Sequence, residues 1–257
     1  MLKQILDSKP EKHISSGKFS ISSVGSCWKK KYMTMKGLYK EEFDEKMFRI
    51  FAQGDFFHQR MVSEFISKGP ASGYQVAAAE CDIRNQKYIS GRCDMILSHA
   101  PSKELYIVDF KSTSPWAFKN VQKGEVAQNY LDQVLLYEHI FHITRGYLLF
   151  INKASSEVEE YEVKYDYDRA EFLINQIKYF FENYVEKNES PYKCDGGQWG
   201  CKCCWPAGNN KPSAAQLEVV LKQQSSVPGL FKGFEPKPEI VAVEPQSQLK
   251  DDKWVKV

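Results

Sequence analysis

The stretch LYIVDFKST, residues 105 to 113, constrains the fold more than any other part of the chain. Leu105 to Val108 read as an apolar β-strand, and the same strand carries Asp109, Phe110 and Lys111 before Ser112, Thr113, Ser114 and Pro115 break it. Side chains alternate across a strand, so Asp109 and Lys111 share one face and Phe110 takes the other. Taken alone, D-x-K at a strand end is an ordinary surface ion pair. Its surroundings argue for more.

Two further strand candidates precede it, Gln75 to Ile83 and Tyr88 to Leu97, with turn-like segments at Arg84-Asn85-Gln86 and Ser98 to Lys103; together they read as an antiparallel meander. A helix is expected over residues 42–68, where Phe43, Met47, Ile50, Phe51, Phe57, Met61, Val62 and Phe65 recur near 3.6 spacing, Gly54 marks a bend and Gly69-Pro70 ends the run. A second helix is expected over Val121 to Phe141, its beginning weakened by Gly124, and a third over Tyr167 to Val185, with strands at Tyr147 to Ile151 and Val158 to Val163 between them. The order α-βββ-α-ββ-α wraps helices around a mixed sheet, an α/β or α+β layered domain.

Upstream of the charged strand lies GRCDMIL, residues 91 to 97. In a hairpin that sets Leu97 opposite Glu104, Asp94 faces Ile107 and lies diagonal to Asp109 on the same face, roughly 7 Å away. One cation with oxygen bonds of about 2.1 Å can bridge such a pair. A one-residue slip would separate the two acids. Paired carboxylates in an apolar sheet repel each other unless a cation neutralises them, and a divalent metal does so directly. Glu80, at the end of another short apolar run, is a candidate third acid. Lys111 then offers an ammonium that can orient a water or stabilise charge on a phosphorane-like transition state.

The chain has 257 residues and 42% hydrophobic content, enough for one sizeable core. Its net charge of +2 provides no whole-molecule attraction to a polyanion, so any such attraction is local. The N-terminal MLKQILDSKPEKH lacks a signal-type apolar segment and no stretch approaches the roughly 20 apolar residues of a membrane span. A soluble, cytoplasmic protein is the expectation.

Five features, in order, resemble the RecB-like branch of the PD-(D/E)XK nucleases. They are GDFFH ending in His58, Glu80 on the first strand, GRCD with Asp94, DFKST with Asp109 and Lys111, and QVLLY with Gln133 and Tyr137. The resemblance spans roughly residues 20–205 and implies an α/β, restriction-endonuclease-like mixed central sheet flanked by helices. It implies that His58, Asp94, Asp109 and the backbone carbonyl of Phe110 bind Mg²⁺ or Mn²⁺. The resemblance implies further that Lys111 and Gln133 serve water and phosphate and that Tyr137 lines the site, and Glu80 is carried over from it as a further acid. Cys93 stands where the family's name has proline. The activity implied is hydrolysis of DNA phosphodiesters, leaving a 5′-phosphate, in recombination, repair or phage DNA processing. A non-catalytic nucleic-acid-binding module and a structure-specific endonuclease are the competing readings.

Four of the seven cysteines, Cys194, Cys201, Cys203 and Cys204, crowd together, which in a reducing compartment suggests metal before disulfides. With Cys27 ahead of a basic helix, the set Cys27, Cys194, Cys201 and Cys204 resembles the iron-sulfur subgroup that includes AddB-like and CRISPR-associated members. There the resemblance implies a [4Fe–4S] cluster clamping the two ends of the domain. Zn²⁺ and plain reduced thiols remain open, as does Cys203 in place of Cys204. Cys81 and Cys93 read as small hydrophobes in strands.

Trp28, Lys29, Lys30, Lys31 and Tyr32, followed by Lys36, Tyr39 and Lys40, interleave base with aromatic as a phosphate-neutralising, base-stacking surface does. A solvated helix face explains them equally well. Trp116 and Lys119, with Phe118, follow the charged strand and are candidates to grip single-stranded DNA or a DNA end. Residues 1–205 read as the nuclease domain; residues 206–257 are rich in Pro, Lys, Glu, Gln and Ser and read as an extended, mobile tail.

Overall fold

The computed structural model describes residues 17–39 and 43–191. Its elements are β1 (Phe19–Ser20), α1 (Trp28–Met35), α2 (Glu45–Lys68), β2 (Tyr74–Asp82), β3 (Ile89–Ser90), β4 (Arg92–His99) and β5 (Leu105–Thr113). They continue with α3 (Pro115–Gln122), α4 (Gln128–Phe141), β6 (Arg145–Asn152), β7 (Val158–Lys164) and α5 (Tyr167–Phe180). Five strands form one mixed sheet in the order β2-β4-β5-β6-β7; β5 and β6 run parallel and the other neighbours antiparallel. The expected meander is β2-β4-β5. Tyr88 to Leu97 is two strands rather than one, since Ile89–Ser90 turns away to pair in parallel with Phe19–Ser20.

Charged and apolar periodicity decide the layers. α2 starts at Asp44, whose side chain accepts the Met47 amide at 2.8 Å, and runs unbroken through Gly54. None of its residues is fully buried. One stripe, Met61, Val62 and Phe65, covers a core of Met95, Leu97, Tyr106, Val108, Phe110 and Leu149 on one sheet face. The opposite face carries the larger core, where Val134, Leu135, Leu136 and Tyr137 of α4 meet Ile107, Leu148 and Phe150.

The single helix expected over Val121 to Phe141 is two. Gly124, at φ 81°, breaks it, and α3 begins earlier, capped by Ser114 with Pro115 in its first turn. α4 is buried continuously from Asp132 to Glu138, so its apolar stripe is too broad for a simple amphipathic pattern. Arg169 of α5 holds buried Asp132 with two hydrogen bonds, 3.1 and 2.7 Å, tying the two helices together. The long final helix ends at Phe180 and closes through a π-type turn, Phe181–Val185.

Candidate active site

The pairing of β4 with β5 runs from Ser98↔Leu105 to Met95↔Val108 and stops there, while β5 continues beside β6 as far as Thr113. The assumed partner of Leu97 was Glu104; the structure pairs it with Tyr106. The shift is two residues, so every side chain keeps its face, and the acids still converge. Where β4 departs, the Phe110 amide has no ladder partner. The carboxylate of Asp94 takes it instead, accepting from Phe110 N at 2.8 Å.

Asp109, 1% exposed, lies on the α4 face. Gln133 of α4 donates Nε2 to Asp109 Oδ1 at 3.0 Å, and its Oε1 accepts from Lys111 Nζ at 3.0 Å. Lys111 Nζ stands 2.7 Å from Asp109 Oδ2. The contact is an ion pair without hydrogen-bond direction, and that buried oxygen has no hydrogen bond. The ring of Tyr130 closes the other side of the ammonium at 4.9 Å. From the α2 face, His58 brings Nδ1 to 3.6 Å from Asp94 Oδ2 and its ring to 5.8 Å from that of Phe110. Tyr137 is buried and donates its hydroxyl to the Arg92 carbonyl at 2.8 Å. The structure thus brings His58, Asp94, Asp109, Phe110, Lys111, Gln133 and Tyr137 together around one break in the sheet.

Burial, together with the charge of Asp109, pushes the Asp94 carboxyl up to about 7. Burial lowers His58 against the upward pull of Asp109, which leaves a neutral imidazole with a lone pair to offer. Burial and Asp109 also push the Tyr137 phenol upward, so it remains a neutral donor.

Among the described residues, no three His, Cys, Asp or Glu side chains are gathered closely enough to cage a metal by themselves. The donors do suit a hard divalent cation: two carboxylates, a backbone carbonyl and a neutral imidazole, with Asp109 Oδ2 buried and lacking a hydrogen bond. Lys111 supplies the neutralising charge in this structure. Glu80 stands apart from the set. It takes a left-handed φ of 50° within β2, and its half-exposed carboxylate pairs with Arg92 Nε at 2.9 Å.

The expected DNA-contact residues divide. Tyr32 is buried, and Trp28 packs edge-on against Phe180, so both rings serve the core instead of presenting a base-stacking surface. Lys31 reaches Ser23 Oγ at 3.2 Å and lies over the Phe19 ring, with burial lowering its pKa. Lys29 and Lys30 are half-buried. Trp116 is 74% exposed and Lys119 is exposed on the same helix, α3. Cys27 is a buried thiol at the start of α1; Cys194, Cys201, Cys203 and Cys204 lie outside the described residues. Cys93 is fully buried and Cys81 packs against the same core, as small hydrophobes do. Tyr130, against the Lys111 ammonium, and Arg92, whose carbonyl accepts the Tyr137 hydroxyl, were not singled out in the sequence. Each had a signal: Tyr130 sits one turn before Gln133, and Arg92 two residues before Asp94.

No protein-family model matches the chain, and no curated protein matches it in sequence. Solved structures are similar to it. LHK-Exo, an alkaline exonuclease from Laribacter hongkongensis, in its complex with dAMP aligns over 66% of this chain and 89% of its own, at TM-score 0.50 and 11% identity. The structure of SSO0001 aligns over 79% and 90%, at TM-score 0.45 and 18% identity. A phage-related exonuclease from Haemophilus somnus aligns over 72% and 92%, at 0.42 and 11%. The architecture, a mixed α/β sheet flanked by helices, is the one shared with LHK-Exo. Among the described residues, no helix is long and apolar enough to cross a membrane.

Proposed function

We propose that this chain is a divalent-metal-dependent deoxyribonuclease of the PD-(D/E)XK type, acting on DNA ends or single-stranded DNA as an exonuclease. The observation that carries the reading is the meeting of Asp94, Asp109 and Lys111 at the point where β4 parts from β5. The fold shared with LHK-Exo supports it.

Asp94, Asp109, the Phe110 carbonyl and His58 would hold Mg²⁺ or Mn²⁺. The ion supplies Lewis-acid activation of water and charge neutralisation at the phosphate. Gln133 fixes both neighbours at once, donating to Asp109 and accepting from Lys111. Tyr130 shields the ammonium from one side, so Lys111 keeps its charge pointed along a single direction, toward the phosphate oxygen that gains charge. Trp116, exposed just past β5, stacks a base of the entering strand. Cys27 with Cys194, Cys201 and Cys204 forms a structural iron-sulfur or zinc site in this reading; visible absorbance of the purified chain distinguishes the cluster from colourless Zn²⁺.

The test is incubation with end-labelled single- and double-stranded DNA in Mg²⁺, Mn²⁺ or chelator, beside closed circular DNA. Metal-dependent loss of label from linear substrates, with the circle intact, is expected. Cleavage of the circle would make the chain an endonuclease, and no cleavage of any substrate would end the proposal.

A further inference from the structure

We propose that Arg92 is a phosphate-binding residue of this site and that Glu80 positions it. The assignment rests on the nuclease reading above and names a contact to the nucleic-acid backbone that the metal set does not supply.

The geometry is not that of a casual surface pair. In the β2–β4 register Arg92 stands opposite Asp82, the acid that simple cross-strand pairing would join to it. The guanidinium goes instead to Glu80, Nε to Oε2 at 2.9 Å. Glu80 turns that way through a left-handed φ of 50° in the interior of a strand, a conformation unfavourable for a residue with a Cβ and found preferentially at functional sites. Both side chains stay well exposed, 62% and 48%, so the strain serves no burial.

Position relates the pair to the chemistry. Arg92 lies two residues before Asp94, and its carbonyl accepts the hydroxyl of Tyr137, which fixes the backbone from which the guanidinium projects. The charge of Glu80 is felt at both Asp94 and His58. The closest approach of Glu80 is to Nε, and among the described residues none accepts a hydrogen bond from the two terminal nitrogens. That free edge is the planar fork which takes a phosphate through two parallel hydrogen bonds. A carboxylate behind and an open fork in front make a preset clamp for one phosphate of the strand lying in the site.

The experiment measures binding of a fluorescent single-stranded oligonucleotide to the full chain in chelator, across a potassium chloride series, and then kcat and KM with Mg²⁺. Arg92→Ala should weaken binding about tenfold and flatten the salt slope by roughly 0.7 to 1, the loss of one phosphate contact. Arg92→Lys should restore the slope but leave affinity several-fold low, since a point charge lacks the fork. Glu80→Gln is the discriminating variant. Bulk electrostatics expects removal of a negative charge to tighten DNA binding; a positioning role expects looser binding and a raised KM with kcat kept. Wild-type affinity and slope in Arg92→Ala would overturn the proposal. So would a Glu80→Gln variant that lowers kcat and Mg²⁺ affinity at unchanged KM, which would make Glu80 a metal ligand. A wild-type chain that binds through Arg92 yet cuts nothing would sink the nuclease reading and support the contact.

Discussion

Asp94 Oδ2 accepts the backbone amide of Phe110 at 2.8 Å, and this bond does for the sheet what a strand would otherwise do. It satisfies a donor orphaned by the departure of β4 and draws a carboxylate to the side of Asp109. One bond therefore serves both fold and site, and the two roles separate by substitution. Asp94→Asn keeps an acceptor for Phe110 and should fold with near-wild-type stability while losing cleavage. Asp94→Ala leaves the amide unpaired and should also lose about 1–3 kcal/mol of stability. Urea unfolding of the two variants makes the comparison.

Lys111 is the only ammonium set against the buried Asp109 oxygen among the described residues. Its replacement by alanine should reduce cleavage on the order of 100-fold or more, the usual effect of removing a preorganised charge from a transition state. It should also destabilise the metal-free protein, because a buried carboxylate then lacks its partner. Excess Mg²⁺ should recover stability but not rate, which thermal melting and single-turnover cleavage measure separately.

Glu138 of α4 is fully buried with neither carboxylate oxygen hydrogen-bonded, and burial, with a smaller push from Glu162, raises it to about 8. Its folded value lies above its unfolded one. Stability is therefore intact below about pH 4.5, where both states are protonated, falls as the unfolded chain alone ionises, and levels off above about 8. Glu138→Gln should flatten that decline and raise the melting temperature at pH 8 by several degrees, with little change at pH 4.5. Melting curves across this range provide the check.

Gly146 opens β6 beneath α4, where a Cβ would stand 2.5 Å from Val134 Cγ1 and 2.9 Å from Glu138 Oε1. Gly146→Ala should cost about 1–3 kcal/mol by overpacking, measured by urea unfolding.

Trp116 touches solvent over most of its surface, so Trp116→Ala should leave the melting temperature unchanged. If it stacks a base, affinity for single-stranded DNA should fall by about 1–3 kcal/mol, read by fluorescence titration.

The charged strand end was legible because period-two alternation fixes which residues share a face, and a register error of two preserves it. That is why Asp94, Asp109 and Lys111 converge despite the wrong assumed partner for Leu97. The break at Gly124 was not read, because the helical pattern resumes on the far side and one glycine is compatible with either outcome. Trp28 and Tyr32 misled for a related reason. An aromatic beside lysines fits a DNA surface or a snorkelling core helix equally well, and only packing against Phe180 decides between them. Glu80 was read as a candidate third acid, and its orientation toward Arg92 was not legible, since a left-handed turn inside a strand breaks the alternation on which sequence reading depends.

The central claim is that Asp94 and Asp109 share one divalent cation beside Lys111. Titration of Mn²⁺, followed by loss of the free-ion electron paramagnetic resonance signal, tests it most directly. Saturable uptake by the wild-type chain, weakened at least about tenfold in both Asp94→Asn and Asp109→Asn, is the predicted result. Equal uptake by all three proteins, or none by the wild type, would contradict the account.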